Sequence, residues 1–221
     1  MISSKPTITE VEVLRARFTP ARFDKYVVAA QGDPVAALRL YEWNALASGA
    51  LFVAIGQFEV LLRNALDVEL CRYHRKVMGG DGSWWRDQAM PLQADLADRM
   101  SDARRRAVRG GATETHGKVI AELMFGFWRF LLDARHSPTL WAPALRHAFP
   151  HLRPKVRTEV YDRVERLNAL RNRVAHHEPI HQGPLEERWR DLLTVAGWIC
   201  PTTAAWIGSS STVPAVLAAK P

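Results

Sequence analysis

The chain of 221 residues contains only two cysteines, Cys71 and Cys200. Two thiols cannot build a disulfide scaffold or a cysteine-only zinc site, and they suit a reducing, cytoplasmic setting. Strand signals are nearly missing as well: no long run alternates apolar and polar residues, and β-branched clusters are rare. There is no internal repeat and no linker long enough to separate two domains. The opening Met1-Ile2-Ser3-Ser4-Lys5-Pro6 lacks the charged and then apolar regions of a signal peptide. The most apolar stretch, 45–58, runs straight into Glu59 and Arg63 and is too short to span a bilayer, which predicts no membrane segment.

Hydrophobic residues make up 48% and charged residues 24% of the chain, which excludes disordered and fibrous classes. Thirty Lys and Arg outnumber 23 Asp and Glu, giving a net charge of +7. A basic excess raises the odds of a polyanionic partner such as nucleic acid, although charge spread over a whole surface serves solubility alone.

Helical spacing recurs along the chain. Helices are expected over 8–17 and 20–30, and Asp33-Pro34 offers an N-cap and first position for a long one running towards Arg75. Ser48-Gly49 is a candidate break in it. A loop over 78–83 leads to Trp84-Trp85, and further helices are expected over 91–108, 118–134, 158–177 and 185–199. Pro201 to Ile207 suggests one more turn, and the small, polar residues 209–221 read as a fraying tail. The expectation is one all-α domain over 1–208 with a flexible C-terminal tail.

The segment richest in chemistry is Arg166-Leu167-Asn168-Ala169-Leu170-Arg171-Asn172-Arg173-Val174-Ala175-His176-His177-Glu178-Pro179-Ile180. On a helix at about 100° per residue, Val160, Val164, Leu167 and Val174 form one stripe with Leu170 on its flank. Arg171 projects at the edge of that stripe, half buried and in want of a carboxylate or phosphate. Asn168, Asn172 and His176 lie on the neighbouring face, and His177 falls on the far side. Arginine offers a permanent charge shaped for phosphate oxygens, and histidine exchanges protons near neutral pH. RNA cleavage by attack of the 2′-hydroxyl needs that pair and requires no metal. The plain alternative is a structural arginine at an interface and a structural histidine at a helix end.

Arg171-Asn172-Arg173-Val174-Ala175-His176 resembles the Arg-x4-His motif of the HEPN superfamily. The longer string from Leu170 through Ile180 is similar to its Abi-like (abortive infection) branch. Leu40-Tyr41-Glu42-Trp43-Asn44, Phe58-Glu59-Val60-Leu61-Leu62-Arg63-Asn64-Ala65, and Gly117-Lys118-Val119-Ile120-Ala121-Glu122-Leu123 with Phe125-Gly126-Phe127-Trp128 resemble other helices of that branch, in order. The likeness covers 18–207. It implies a HEPN-like helical bundle and a metal-independent endoribonuclease, without cofactor, acting in phage defence or a toxin–antitoxin system. Arg171 and His176 would be the catalytic pair, with Asn172 orienting them. It also implies that two motifs meet in one composite site; this chain carries one, so a homodimer would supply the second. A protein or small-RNA antitoxin is a possible partner. Members governed by a nucleotidyltransferase antitoxin carry a Tyr soon after the His, where this chain has His177-Glu178-Pro179.

Several further residues admit two readings. Glu59 and Arg63 are an ordinary i,i+4 pair, or Glu59 aims Arg171 at phosphate with Asn64 in the same network. His177 and Glu178 flank the motif as supporting residues. Arg104, Arg105, Arg106 and Arg109, with Lys118, are candidate contacts to an RNA backbone; arginines at a helix C-terminus also suit the helix dipole alone. Lys118 and Glu122 are a candidate intrahelical pair. Trp84 and Trp85 are candidate base-stacking residues. His176, His177 and His181 hint at a metal, but Pro179 breaks the helix that would align them. The rival functions are a non-catalytic RNA-binding or regulatory module, and a protein scaffold within a defence system.

Overall fold

The computed structural model describes residues 7–221, and no strand occurs among them, so the fold is all-α. Ten α-helices form: α1 (Ile8–Phe18), α2 (Pro20–Ala29), α3 (Pro34–Lys76), α4 (Ala94–Ala107), α5 (His116–Glu122), α6 (Phe125–Leu131), α7 (Arg157–Ala175), α8 (Leu185–Ile199), α9 (Pro201–Ser210) and α10 (Val213–Ala218). Short helical turns fill much of the proline-punctuated stretch between α6 and α7.

The spine is α3, and α1, α2 and α6 to α10 pack against it. Asp33 caps it, its carboxylate accepting from the N–H groups of Val35 (2.8 Å) and Ala36 (3.1 Å). The expected break at Ser48-Gly49 does not occur, and the helix runs 43 residues. An interior glycine costs a helix only about 1 kcal/mol relative to alanine, and Ala47 and Leu51, buried on either side, hold the ladder in place. Leu51, Ala54, Ile55, Phe58, Leu62 and Leu66 continue that buried face.

By length and composition α3 also meets the requirement for crossing a membrane, with a mean hydropathy of 1.8 over its most apolar 18 residues. The length argument drawn from 45–58 therefore fails. About a third of that window is buried, and the six-residue face just described packs on the other helices.

The expected helix over 118–134 is instead two, α5 and α6, separated by extended backbone at Leu123 and Met124. The carbonyls freed at this break find side-chain donors: Arg106 Nη2 donates to Glu122 O (2.8 Å) and Trp128 Nε1 to Leu123 O (3.4 Å). The break thus costs few unmade hydrogen bonds.

Helix α7 buries Val160, Val164, Leu167, Leu170 and Val174, the stripe expected from spacing. Asp191 of α8 holds it from one side. Arg166 grips that carboxylate with two nitrogens (2.9 and 3.0 Å), and Arg188 adds a third contact (3.0 Å).

Residues 209–221 are no fraying tail. Helix α9 extends to Ser210, and α10 buries Val213 and Leu217 against α3 and α8. Trp43 Nε1 donates to Val216 O (2.7 Å), and Lys220 Nζ donates to His181 O (2.7 Å). The apolar residues of this segment are few but correctly spaced to cover the end of α3. Ending the chain after Ser210 should lower the unfolding free energy by about 3–5 kcal/mol from lost apolar burial, read as an earlier urea midpoint.

Candidate active site

Arg171 sits partly buried on α7, with Asn172 and His176 exposed beside it. Its guanidinium makes no hydrogen bond or ion pair among the described residues, although a carboxylate faces it. That carboxylate is Glu59 on α3, whose affinity for its proton is raised chiefly by burial and lowered by Arg171, Arg63 and the N–H of Phe125. The expected Glu59–Arg171 partnership is thus a facing pair that does not close to ion-pair distance. Arg63 belongs to the same group: its Nε is buried without a partner. Asn168 lies close to Gly126 at the start of α6, its Oδ1 3.9 Å from where a glycine Cβ would stand. Two arginines, one carboxylate and an amide therefore converge where α3, α6 and α7 meet. Asn64 is exposed in mid-helix and makes no side-chain hydrogen bond among the described residues.

The end of α7 is built with unusual care. His176 closes the helix, and His177 follows with φ of 55°. His177 N–H donates to Val174 O (3.0 Å) and Glu178 N–H to Arg173 O (2.8 Å), the paired bonds of a Schellman motif. Glycine usually occupies the left-handed position because a side chain there costs about 1–2 kcal/mol. Here neighbours hold the turn: Arg22 Nη2 of α2 donates to His177 O (2.7 Å), and Arg173 pairs with Glu178 (3.3 Å) and reaches Pro179 O. His177 and Glu178 therefore shape the exit of the motif helix.

Beyond the turn, buried Asn44 of α3 fixes the chain with one oxygen. Its Oδ1 accepts from Ile180 N–H (2.8 Å) and His181 N–H (3.1 Å). His181 is buried, its ring packed on Tyr26 with centroids 4.8 Å apart, and neither ring nitrogen finds a hydrogen-bond partner. Burial, with Lys220 and Arg173 nearby, pushes its pKa down. His181 is thus sealed away from the exposed His176 and His177, and the three form no metal-ligand cluster.

A cleft of about 500 Å³ runs beside the motif, lined by Arg22, Tyr41, Ser48, Phe52, Ala175 and His177 among others. Phe52 belongs to an exposed apolar stripe on α3 that also includes Leu46, Val53 and Val60. Gly49 and Gly56 lie in the same stripe, with open space where a Cβ would stand.

The other candidate residues are mostly occupied. Arg104 pairs with Glu114 (2.7 Å), Arg106 with Glu122 (2.8 Å) and Arg105 with Asp102. Glu122 thus belongs to Arg106 rather than Lys118, whose ammonium reaches Thr113 O (3.1 Å). Of these five basic residues, Arg109 and Lys118 have no acidic partner among the described residues. Trp84 and Trp85 are buried and unavailable for stacking on bases; Trp85 packs instead under the guanidinium of Arg86, 4.2 Å from its ring.

No family model, curated protein or solved structure matches this chain. One group escaped sequence reasoning altogether: Asp67, Cys71 and His116 place one potential metal-ligand atom each within 4.8 Å of one another. Asp67 and Cys71 are four apart on α3, a weak signal alone, and nothing in the sequence links them to His116.

Two stability changes follow from the α7 exit. Asn44→Ala should leave two buried N–H groups unpaired and cost about 2–4 kcal/mol. His177→Gly should gain about 0.5–1 kcal/mol, the relief at positive φ offset by added freedom in the unfolded chain. Urea unfolding of both variants reads the two shifts, which have opposite signs.

Proposed function

We propose that the protein is a metal-independent endoribonuclease of the HEPN/Abi-like type, acting in the cytoplasm in phage defence or a toxin–antitoxin system. The observation that carries the reading is Arg171: a guanidinium half buried beside an imidazole-bearing helix end, with no partner closing on it. A phosphate diester supplies the oxygens such a fork lacks. The likeness of the motif and its flanking helices supplies the biological setting, and the free thiols Cys71 and Cys200 fit a reducing compartment.

The chemistry needs two proton transfers. A base takes the proton of the ribose 2′-hydroxyl as its oxygen attacks phosphorus. Arg171 stabilises the negative charge that gathers on the non-bridging oxygens. An acid then gives a proton to the departing 5′-oxygen, leaving a 2′,3′-cyclic phosphate and a 5′-hydroxyl. One imidazole can perform one of these transfers at a time, so His176 of one protomer acts as base and His176 of its partner as acid. Asn172, one residue from Arg171 on the exposed side, is suited to orient Arg171 and His176 towards the scissile phosphate.

The α3 stripe is the surface suited to bring two copies together. Leu46, Phe52, Val53 and Val60 project from it, and Gly49 and Gly56 leave hollows between them. Knobs and hollows on one helix are self-complementary under a two-fold axis. Phe52 shares a cleft wall with Ala175 and His177, and Glu59 faces Arg171, so the stripe runs alongside the motif.

Purified protein should cut single-stranded RNA in the presence of EDTA and leave 2′,3′-cyclic phosphate ends. Arg171→Ala and His176→Ala should each reduce the rate by at least about 100-fold, the lower end of what acid–base catalysis contributes. Salt-sensitive binding without scission, or cleavage unchanged in both variants, would refute the catalytic reading. Phe52→Glu should convert a dimer to monomer in sedimentation and abolish cleavage together; an active monomer would remove the composite site.

A further inference from the structure

Asp67, Cys71 and His116 lie away from the Arg171 site, at the junction of α3 with the start of α5. They differ from a surface cluster of acids in offering three kinds of donor: a carboxylate, a thiol and an imidazole. Asp67 and Cys71 share one face of α3 by their i,i+4 spacing. His116 Nε2 approaches Asp67 Oδ1 at 2.9 Å, and Cys71 Sγ lies 3.9 Å from the same oxygen. One donor atom of each residue is within 4.8 Å of the other two. Around a tetrahedral ion with bonds of about 2.0–2.3 Å, neighbouring donors stand about 3.3–3.8 Å apart. The separations found bracket that range, 2.9 Å for the His116–Asp67 hydrogen bond that an ion would replace and 3.9 Å from Cys71 Sγ to the same oxygen, so small side-chain shifts bring the three donors to it.

Two further features suit an ion. The indole Nε1 of Trp84 donates to Asp67 Oδ1 (2.8 Å), orienting the carboxylate as groups around metal ligands do. All three hydrogen bonds to this carboxylate fall on Oδ1, leaving Oδ2 without one among the described residues. Access is asymmetric: Cys71 is buried, whereas the His116 side chain is 40% exposed. An ion could enter from the His116 side and would keep one position open to water there.

We propose that Asp67, Cys71 and His116 form a site for a borderline-soft divalent cation of the zinc class, with three protein ligands and a solvent-facing fourth position. Thiolate, imidazole and carboxylate together favour zinc over magnesium or calcium, which take oxygen donors. On binding, the Cys71 thiol proton passes to solvent and His116 coordinates through Nε2, its ring proton resting on Nδ1. The ion would tie α5 to α3 across the loop that carries Trp84 and Trp85. It takes no part in the proposed RNA cleavage, which is measured in EDTA.

Cobalt(II) titration of the full-length, chelator-treated protein tests the site. One equivalent should bind and produce a thiolate-to-cobalt charge-transfer band, and zinc should displace it. Cys71→Ser should abolish the band, His116→Ala and Asp67→Asn should weaken binding at least tenfold, and Cys200→Ser should leave it unchanged. Zinc should raise the melting temperature of the parent but not of Cys71→Ser, with circular dichroism confirming that each variant is folded. Absence of a band in the parent, or a band that survives Cys71→Ser and vanishes with Cys200→Ser, overturns the proposal. Neither result bears on cleavage in EDTA, so this site and the Arg171 site stand or fall separately.

Discussion

The unbroken backbone ladder of α3 is the constraint on which the remaining architecture depends. Helices α1, α2 and α6 to α10 all pack against it, and its polar outliers reach into every place where chemistry is proposed. A break at Ser48-Gly49 would let the half bearing Asn44 swing independently of the half bearing Glu59 and Arg63. Those two halves act on opposite ends of the motif in α7: one pins the chain after His176, the other faces Arg171. Isolated helices of this composition gain little from backbone bonding alone. The face from Leu51 to Leu66, packed on its neighbours, is what keeps the helix unbroken past Gly49 and Gly56.

The same rod divides its labour by face and by length. One side is core. On the other side, the stretch from Leu46 to Val60 displays Leu46, Phe52, Val53 and Val60 around two glycines. Further along, Glu59, Arg63, Asp67 and Cys71 follow at successive turns, each about 40° further round, so that charge and thiol chemistry line the boundary with α5, α6 and α7. High hydropathy over 18 residues is therefore the sum of an inward and an outward stripe, each with a separate use.

Much of this was legible in the sequence, and the failures have physical causes. The buried stripe of α7 and the bounds of α8 follow from local periodicity, which tertiary contacts reinforce. Helix α3 looked breakable because glycine propensity is local, whereas the packing that overrides it is not. Leu123-Met124 looked helical because both residues suit a helix; the break is supported by Arg106, distant in sequence. Residues 209–221 looked loose because Val213 and Leu217 are sparse, and their receptor at Trp43 lies at the other end of the chain. Among candidate site residues, Arg171 at a stripe edge was readable from helical geometry. The neutralisation of Arg104, Arg105 and Arg106 depended on which acids folding brings near, and so did the meeting of His116 with Asp67 and Cys71.

The bonds that seat the motif's exit span 155 residues from Arg22 to His177 and 136 from Asn44 to Ile180. Closing loops of that length is entropically expensive and belongs to the slow part of folding. A nascent chain grows from its N-terminus, so α1 to α6 can gather before any of these contacts exists. The turn at His177 is set only after α7 has been made, and Lys220 locks His181 later still. Timing is thus written into the topology: a truncated product carries Arg171 and His176 on a helix whose end has nothing to hold it.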